Sequence, residues 1–315
     1  MRAAERISVV IPTKDGADTV GELLARLFDQ EQRFDLDVVV IDSGSRDGTL
    51  DVVKRFPVRL EQIAARDYNH GATRNLGIRA SRGDLIVLLT QDAIPVDRHL
   101  LASLAEPFAN PRVAGVYGRQ IPRSDCDVVR RRELESWLTG RAEPALAELR
   151  DTDLGALPPL ERYQRCVFDN VCSAVRRDVW ERLPFPVVPF GEDIAWGRSV
   201  LRAGHAIAYE PRAAVIHSHR RPVAEEYRRT RLCHRALNDL FDLATVPRRR
   251  DVLHGALWGL RHEIPYAWRH APRGRQRWLQ TLRIAGMALA NPLGQYHGQR
   301  DAKRMRGEWA ARGRR

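Results

Sequence analysis

Short apolar runs alternate with amphipathic stretches along the first third of the chain. Ile7-Ser8-Val9-Val10-Ile11 reads as a buried strand, and Thr19–Phe28 then sets Val20, Leu23, Leu24, Leu27 and Phe28 at helical spacing. Asp37–Ile41 is the next predicted strand, Thr49–Phe56 the next helix and Val58–Ile63 a short strand. Gly71–Ala80 is helical again, and Asp84–Leu89 is a strongly apolar strand. Strands that are apolar throughout and separated by helices predict a mostly parallel sheet covered on both faces, an α/β fold. In such sheets ligands bind beyond the carboxyl ends of the strands. The polar residues after Ile11, Ile41 and Leu89 are therefore the first candidates for chemistry.

The pattern weakens in the middle. Val113–Leu183 mixes polar loops with a helix-like Val128–Leu138, and Leu154–Leu160, with Pro158-Pro159, reads as a loop. Arg176-Arg177 reads as solvent-facing. Ile207–Tyr209 and Ala213–Ile216 predict two short strands parted by Pro211. After His219 the texture changes to helices rich in Arg and Trp, so two regions are expected, 1–219 and a helical extension over 220–315. Charge divides at the same place: 220–315 holds 22 basic and 8 acidic residues, a net +14, whereas 1–219 holds 30 and 32, a net −2. The whole-chain excess of +12 is thus a property of the last third.

Several classes lose their fingerprints. No GxGxxG follows the first strand and no GxxxxGK[ST] occurs, against a dinucleotide fold and a P-loop. Cys126, Cys166, Cys172 and Cys233 have neither zinc-knuckle nor disulfide-framework spacing and read as reduced thiols. The start lacks a signal-peptide pattern, and no apolar stretch nears the ~20 residues that cross a bilayer, so a cytoplasmic chain is expected. Asp42 stands one step past a buried strand, where a carboxylate can accept from an imide N–H such as N3 of uracil or thymine. Asp47, in the Ser45–Gly48 turn, reads as a cap for the next helix.

Val10-Ile11-Pro12-Thr13, then Asp42-Ser43-Gly44-Ser45-Arg46-Asp47-Gly48-Thr49, then Gly71-Ala72-Thr73-Arg74-Asn75-Leu76-Gly77 resemble family 2 glycosyltransferases in order and spacing. The likeness is greatest to their rhamnosyltransferase-type branch and covers roughly the first two-thirds of the chain. It implies a GT-A fold and inverting transfer from a nucleoside-diphosphate sugar, dTDP-rhamnose or a UDP-hexose, to a glycan or polyprenyl-linked acceptor. Pro12, Thr13, Asp15, Asp42, Arg74, Gln91 and Asp92 would line the nucleotide sugar, with Asp42 and Arg74 holding the pyrimidine and its diphosphate side. The family's Asp-x-Asp is here Thr90-Gln91-Asp92, one carboxylate short, leaving Asp92 as ligand to a divalent cation, Mg2+ or Mn2+.

Phe190-Gly191-Glu192-Asp193-Ile194-Ala195-Trp196 resembles the family's Glu-Asp segment, which makes Asp193 the base that deprotonates the acceptor and puts Glu192 and Trp196 near the acceptor. Trp180 and Trp196 could also stack on a sugar or pack in the core, and Asn69 and His70 lie where they could line a pocket. His217 and His219, after the last strand, alternate onto one face and are both candidates for a further metal ligand. The tail sets Trp258, Trp268, Trp278 and Trp309 among Arg248-Arg249-Arg250 and Arg273–Arg277. That pattern suits peripheral contact with the inner face of a plasma membrane or an Arg-biased solvated face. A nucleic-acid-binding protein, which the absence of any RNP, KH or zinc-finger pattern opposes, and a non-catalytic sugar-nucleotide binder remain as alternatives.

Overall fold

The computed structural model describes residues 6–31, 34–150 and 152–312, with side chains through 306. Among them one sheet contains nine strands: β1 (Arg6–Thr13), β2 (Asp35–Asp42), β3 (Arg59–Gln62), β4 (Leu85–Leu89), β5 (Ile94–Pro95), β6 (Val113–Ile121), β7 (Ala145–Ala147), β8 (Cys172–Arg176) and β9 (Ala206–Ile216). They lie in the order β3-β2-β1-β4-β8-β6-β9-β5, with β7 also paired to β9. Strands β3, β2, β1 and β4 are parallel, as are β6 and β9. Strand β8 is antiparallel to both β4 and β6, and β5 and β7 are antiparallel to β9. The sheet is mixed, with most of its paired length parallel. Strands β6 and β8 escape the apolar pattern because Gly115, Gly118 and Arg119 dilute one and the other is only five residues long.

Strands β1, β2 and β4 carry the core. Val9 and Val10 point to opposite faces and both are fully buried, which requires helices on each side. On one side Val20, Leu23, Leu24 and Leu27 of the helix Ala17–Phe28 fill that space; truncating any of them to alanine would cost about 2–5 kcal/mol. On β1 the helix His70–Ala80 seats through Gly77, where a Cβ would lie 2.3 Å from Val10 Cγ1. That close approach fixes the height of Arg74, almost one turn earlier.

Four local expectations change. The helix Thr49–Val53 ends three residues early, because Arg55 and Phe56 donate to Val52 and Val53 in tighter turns before β3. Leu154–Leu160 holds a single turn at Leu154–Ala156 and the start of a helix, Pro159–Arg165, whose first residue is a proline free of any amide to satisfy. Strand β9 is continuous through Pro211: its register to β6 slips between Gly118 and Arg119, and a residue lacking an N–H is tolerated at such an irregularity. Arg176 and Arg177 face the protein, donating to the carbonyls of Val113 and Gly83 at 2.7 and 2.6 Å.

Two compact units result. One comprises residues up to Arg123, Leu134–Ala156 and Gln164–Ser218. The other joins Ser124–Glu133 and Leu157–Tyr163 to the residues from His219 onward, so the last helices recruit two segments from the middle of the chain. In this second unit the helices are Val223–Phe241, Arg249–His270 and Arg275–Arg312. Trp309 falls outside the described side chains. None of the four cysteines is in a disulfide, and burial pushes the Cys166 thiol up to about 12.

Candidate active site

The register brings the predicted residues to one rim. Thr13 and Asp42 are the last pair of β1 and β2, Leu89 closes β4, and Ile121 and Ile216 are the last pair of β6 and β9. Strand β8 runs the other way, pairing Cys172 with Leu89, so the residues just before it reach the same rim.

At the β1–β2 end, the loops are bound to each other. Asp42 is fully buried; its Oδ1 accepts from the amides of Gly44 and Ser45 at 2.9 and 3.0 Å. Its Oδ2 accepts from the Ser45 hydroxyl and, at 3.4 Å, from Thr13 Oγ1. A base imide reaches this carboxylate only by displacing one of those hydroxyls. Asp15 holds φ at 44°, a left-handed value costly for a residue with a Cβ. The turn is locked by Ser45 Oγ on its amide and by its own Oδ1 on the Arg46 amide, each at 2.8 Å. Pro12 is half-buried between Ile11 and Thr13. Gln91 clamps the backbone of Lys14, accepting from its N–H at 2.8 Å and donating to its carbonyl at 2.9 Å. The side chain expected to touch donor thus ties the loop after β4 to the loop after β1. Asp47 acts as a cap: it accepts from the amide of Thr49 at 3.1 Å and from that of Ala17, the first residue of another helix, at 3.0 Å.

Beyond β4, one potential ligand atom each of Asp92, His217 and His219 lie within 4.8 Å of one another. Both histidines join the cluster. His217 is buried, with Nε2 3.6 Å from Asp92 Oδ1 and Nδ1 2.9 Å from Gln120 Oε1. The Gln120 amide nitrogen donates to Asp169 Oδ2 at 2.7 Å, which fixes the amide so that its oxygen faces His217. Nδ1 must then carry the proton, and Nε2 presents its lone pair toward Asp92 and His219. Sequence reasoning missed Gln120 and Asp169, since both sit in the stretch whose strands it did not see. The donor set, one carboxylate and two imidazoles, suits Mn2+ better than Mg2+, which prefers oxygen ligands alone.

Asp193 is the second residue of the helix Glu192–Arg202 and is partly buried. Burial, with the carboxylates of Glu192 and Asp169 next in weight, holds its carboxyl well above the usual carboxylate range; the Ile194 amide and Arg74 oppose this. Glu192 is buried and ion-paired with Arg74 NH1 at 2.7 Å. Arg74 NH1 also donates to the His70 carbonyl at 3.3 Å, while its Nε is buried without a hydrogen-bond partner. Thr90 Oγ1, at the place of the missing acid, is likewise a buried orphan.

Glu192, at the helix start, faces Arg74, and one expectation, Trp196 beside the acceptor, fails. Trp196 is fully buried between Phe168 and Phe185, ring centroids 4.6 and 5.3 Å away, and donates to the Leu183 carbonyl, so it is core. Trp180 donates to Asn75 Oδ1 at 2.8 Å and is core as well. Asn69 caps its helix, accepting from the amides of Gly71 and Ala72, and His70 bonds the Tyr68 hydroxyl at 2.9 Å.

The family model described as "Glycosyl transferase family 2" matches residues 8–182. The O-antigen chain rhamnosyltransferase RfbN of Salmonella typhimurium is 31% identical over 234 residues, 71% of this chain and 70% of that protein. WbaN of Salmonella anatum, with the same description, is 28% identical over 233 residues, 70% and 69% of the two chains. Among solved structures, a Pyrobaculum calidifontis mannosyltransferase in complex with GDP-Man and Mn2+ aligns with TM-score 0.50 at 18% identity, over 99% of this chain and 81% of its own. TarS 1-349 of S. aureus in complex with UDP-GlcNAc aligns with TM-score 0.53 at 16% identity, over 95% and 92%.

Proposed function

The chain belongs to the family 2 glycosyltransferases and has their GT-A fold, and from that premise we propose that it moves rhamnose from dTDP-rhamnose to a growing glycan, with inversion. The activity of its O-antigen chain rhamnosyltransferase relatives supports the sugar and a glycan acceptor, free or polyprenyl-linked. The observation that carries the mechanism is a carboxyl group, Asp193, tuned upward by burial and like charges on the rim that also bears Asp92, His217 and His219.

Asp193 takes the proton of the acceptor hydroxyl while that oxygen attacks the anomeric carbon. The bond from that carbon to the diphosphate oxygen breaks, and the nucleoside diphosphate leaves with the electron pair. A base works best when its pKa lies near the working pH, and the environment of Asp193 moves it in that direction. Asp92, His217 and His219 would hold a Mn2+ ion, which neutralises charge on the departing diphosphate. Arg74, with Nε unpaired, has a donor to offer the same anion. Asp42 and Thr13 shape the floor on which the base rests, and Ser45 is the hydroxyl an incoming imide would replace.

The test is a donor panel of dTDP-rhamnose, UDP-glucose, UDP-galactose and GDP-mannose, followed by nucleotide release with and without Mn2+. Release from dTDP-rhamnose that needs Mn2+ and vanishes in Asp193→Asn is expected. Metal-independent release, or a preference for a UDP-hexose, would overturn the cation or the sugar respectively.

A further inference from the structure

Helix Arg249–His270 fully buries only small residues and leaves several of its large ones exposed. Its buried positions are Ala256, Gly259 and Ala267. A Cβ on Gly259 would lie 3.0 Å from Ala288 Cβ and one on Gly255 3.1 Å from Pro292 Cβ, so this helix meets Arg275–Arg312 through glycine. Leu253, Leu257, Leu260 and Trp268 instead form an exposed stripe within about 80° of the helical circumference. Across the turn, Trp278, Leu282 and Leu289 form a second stripe, and they are 60%, 70% and 54% exposed. The stripes meet at the turn, where Trp268 and Trp278 pack edge to face at 5.0 Å with Arg277 over Trp268. A helix in water ordinarily buries its leucines. Two adjacent helices that expose them need an apolar cover.

Charge selects the cover. From Arg248 to Arg283 there are nine arginines against two acidic residues, Asp251 and Glu263. A second copy would bring two such excesses of positive charge together, whereas an anionic surface complements them. Tryptophan and arginine around exposed leucine is the composition that suits a headgroup boundary. None of the described helices is long and apolar enough to cross a membrane, so any seat is in the interface.

We propose that the hairpin Arg249–Arg312 is an interfacial anchor that lays the Leu253–Trp268 and Trp278–Leu289 stripes into the headgroup region of an anionic bilayer. The inference rests on these two helices alone and stands apart from the donor assignment.

The experiment is flotation of the full chain with vesicles of phosphatidylcholine alone or mixed equally with phosphatidylglycerol, without donor or acceptor. Wild type should bind the anionic vesicles at least ~10-fold more tightly. The double variant Trp278→Ser/Leu282→Ser should lose about 10-fold of that binding with its circular dichroism unchanged. Independently of any variant, lipids brominated on the acyl chains should quench wild-type tryptophan fluorescence in the anionic vesicles. Equal binding by wild type and variant, or no quenching, overturns the anchor. So does a wild-type dimer in light scattering that the variant dissolves, which assigns the face to a second copy, or salt-sensitive binding to RNA with vesicles ignored.

Discussion

Arg74 and Glu192 form an ion pair whose side chains are 5% and 6% exposed, 2.7 Å apart. Removing one partner leaves a charge in a site with almost no water; Glu192 Oε1 also accepts from Asn170 Nδ2, but only at 3.5 Å. Breaking a buried pair in this way costs about 3–5 kcal/mol. Each kcal/mol lowers Tm by about 2–4 °C in a unit of this size, so Arg74→Met and Glu192→Gln should each lose roughly 6–20 °C in scanning calorimetry. The double variant replaces both charges with neutral groups of similar length and should fall less than either single change. The pair also brackets Asp193: Arg74 pulls its carboxyl pKa down and Glu192 pushes it up. In pH profiles of kcat/KM, Glu192→Gln should therefore move the acid limb to lower pH and Arg74→Met to higher pH. Additive losses of stability, with a coupling below about 0.5 kcal/mol, would refute the pair as a unit. Limbs that move together would refute its hold on Asp193.

Asp193→Asn should cut transfer by about 10²–10⁴ and leave nucleotide binding intact, measured by turnover and by titration calorimetry. The same change should stabilise the protein. A carboxyl whose folded pKa is raised contributes stability in full below its unfolded value of about 3.8 and loses it as pH rises through the folded one, so Asp193→Asn should melt higher than wild type at pH 8 and equally near pH 4. Asp92→Ala should abolish the Mn2+ dependence of donor affinity; an unchanged metal response counts against the cluster. Gln120→Leu should weaken Mn2+ binding about 10–100-fold, read by electron paramagnetic resonance, with kcat recovered at saturating metal. A lowered kcat that metal does not restore would give Gln120 a merely structural part.

The fold was legible where one signal sufficed. Strands β1, β2 and β4 are buried on both faces, and burial of that kind shows in the residues themselves. Where the signal lies elsewhere in the chain, local pattern failed. The helix Ala17–Phe28 starts two residues before its apolar spacing does, because its first amide is capped by Asp47, thirty positions away. Strand β9 passes through Pro211 because β6 slips register to accommodate it, which no reading of β9 alone contains.

The site divides along the same line. Asp92, Asp193, His217 and His219 stand out in the sequence as candidates because a chemical type at a strand or helix end is a local property. Trp196 was misplaced because its partners are distant, Phe168, Phe185 and Leu183 enclosing it, and the pairing of Glu192 with Arg74, 118 residues earlier, is invisible for the same reason. Gln120 and Asp169 were invisible for a deeper reason. Each matters here through the atom it orients, and orientation exists only once β6, β8 and β9 lie side by side. Arg74 Nε and Thr90 Oγ1, two of the buried donors without a partner, belong to the same class. A buried polar atom without a partner costs about 1–3 kcal/mol, and whether an atom is left so depends on what folds over it, which no local pattern in the sequence announces.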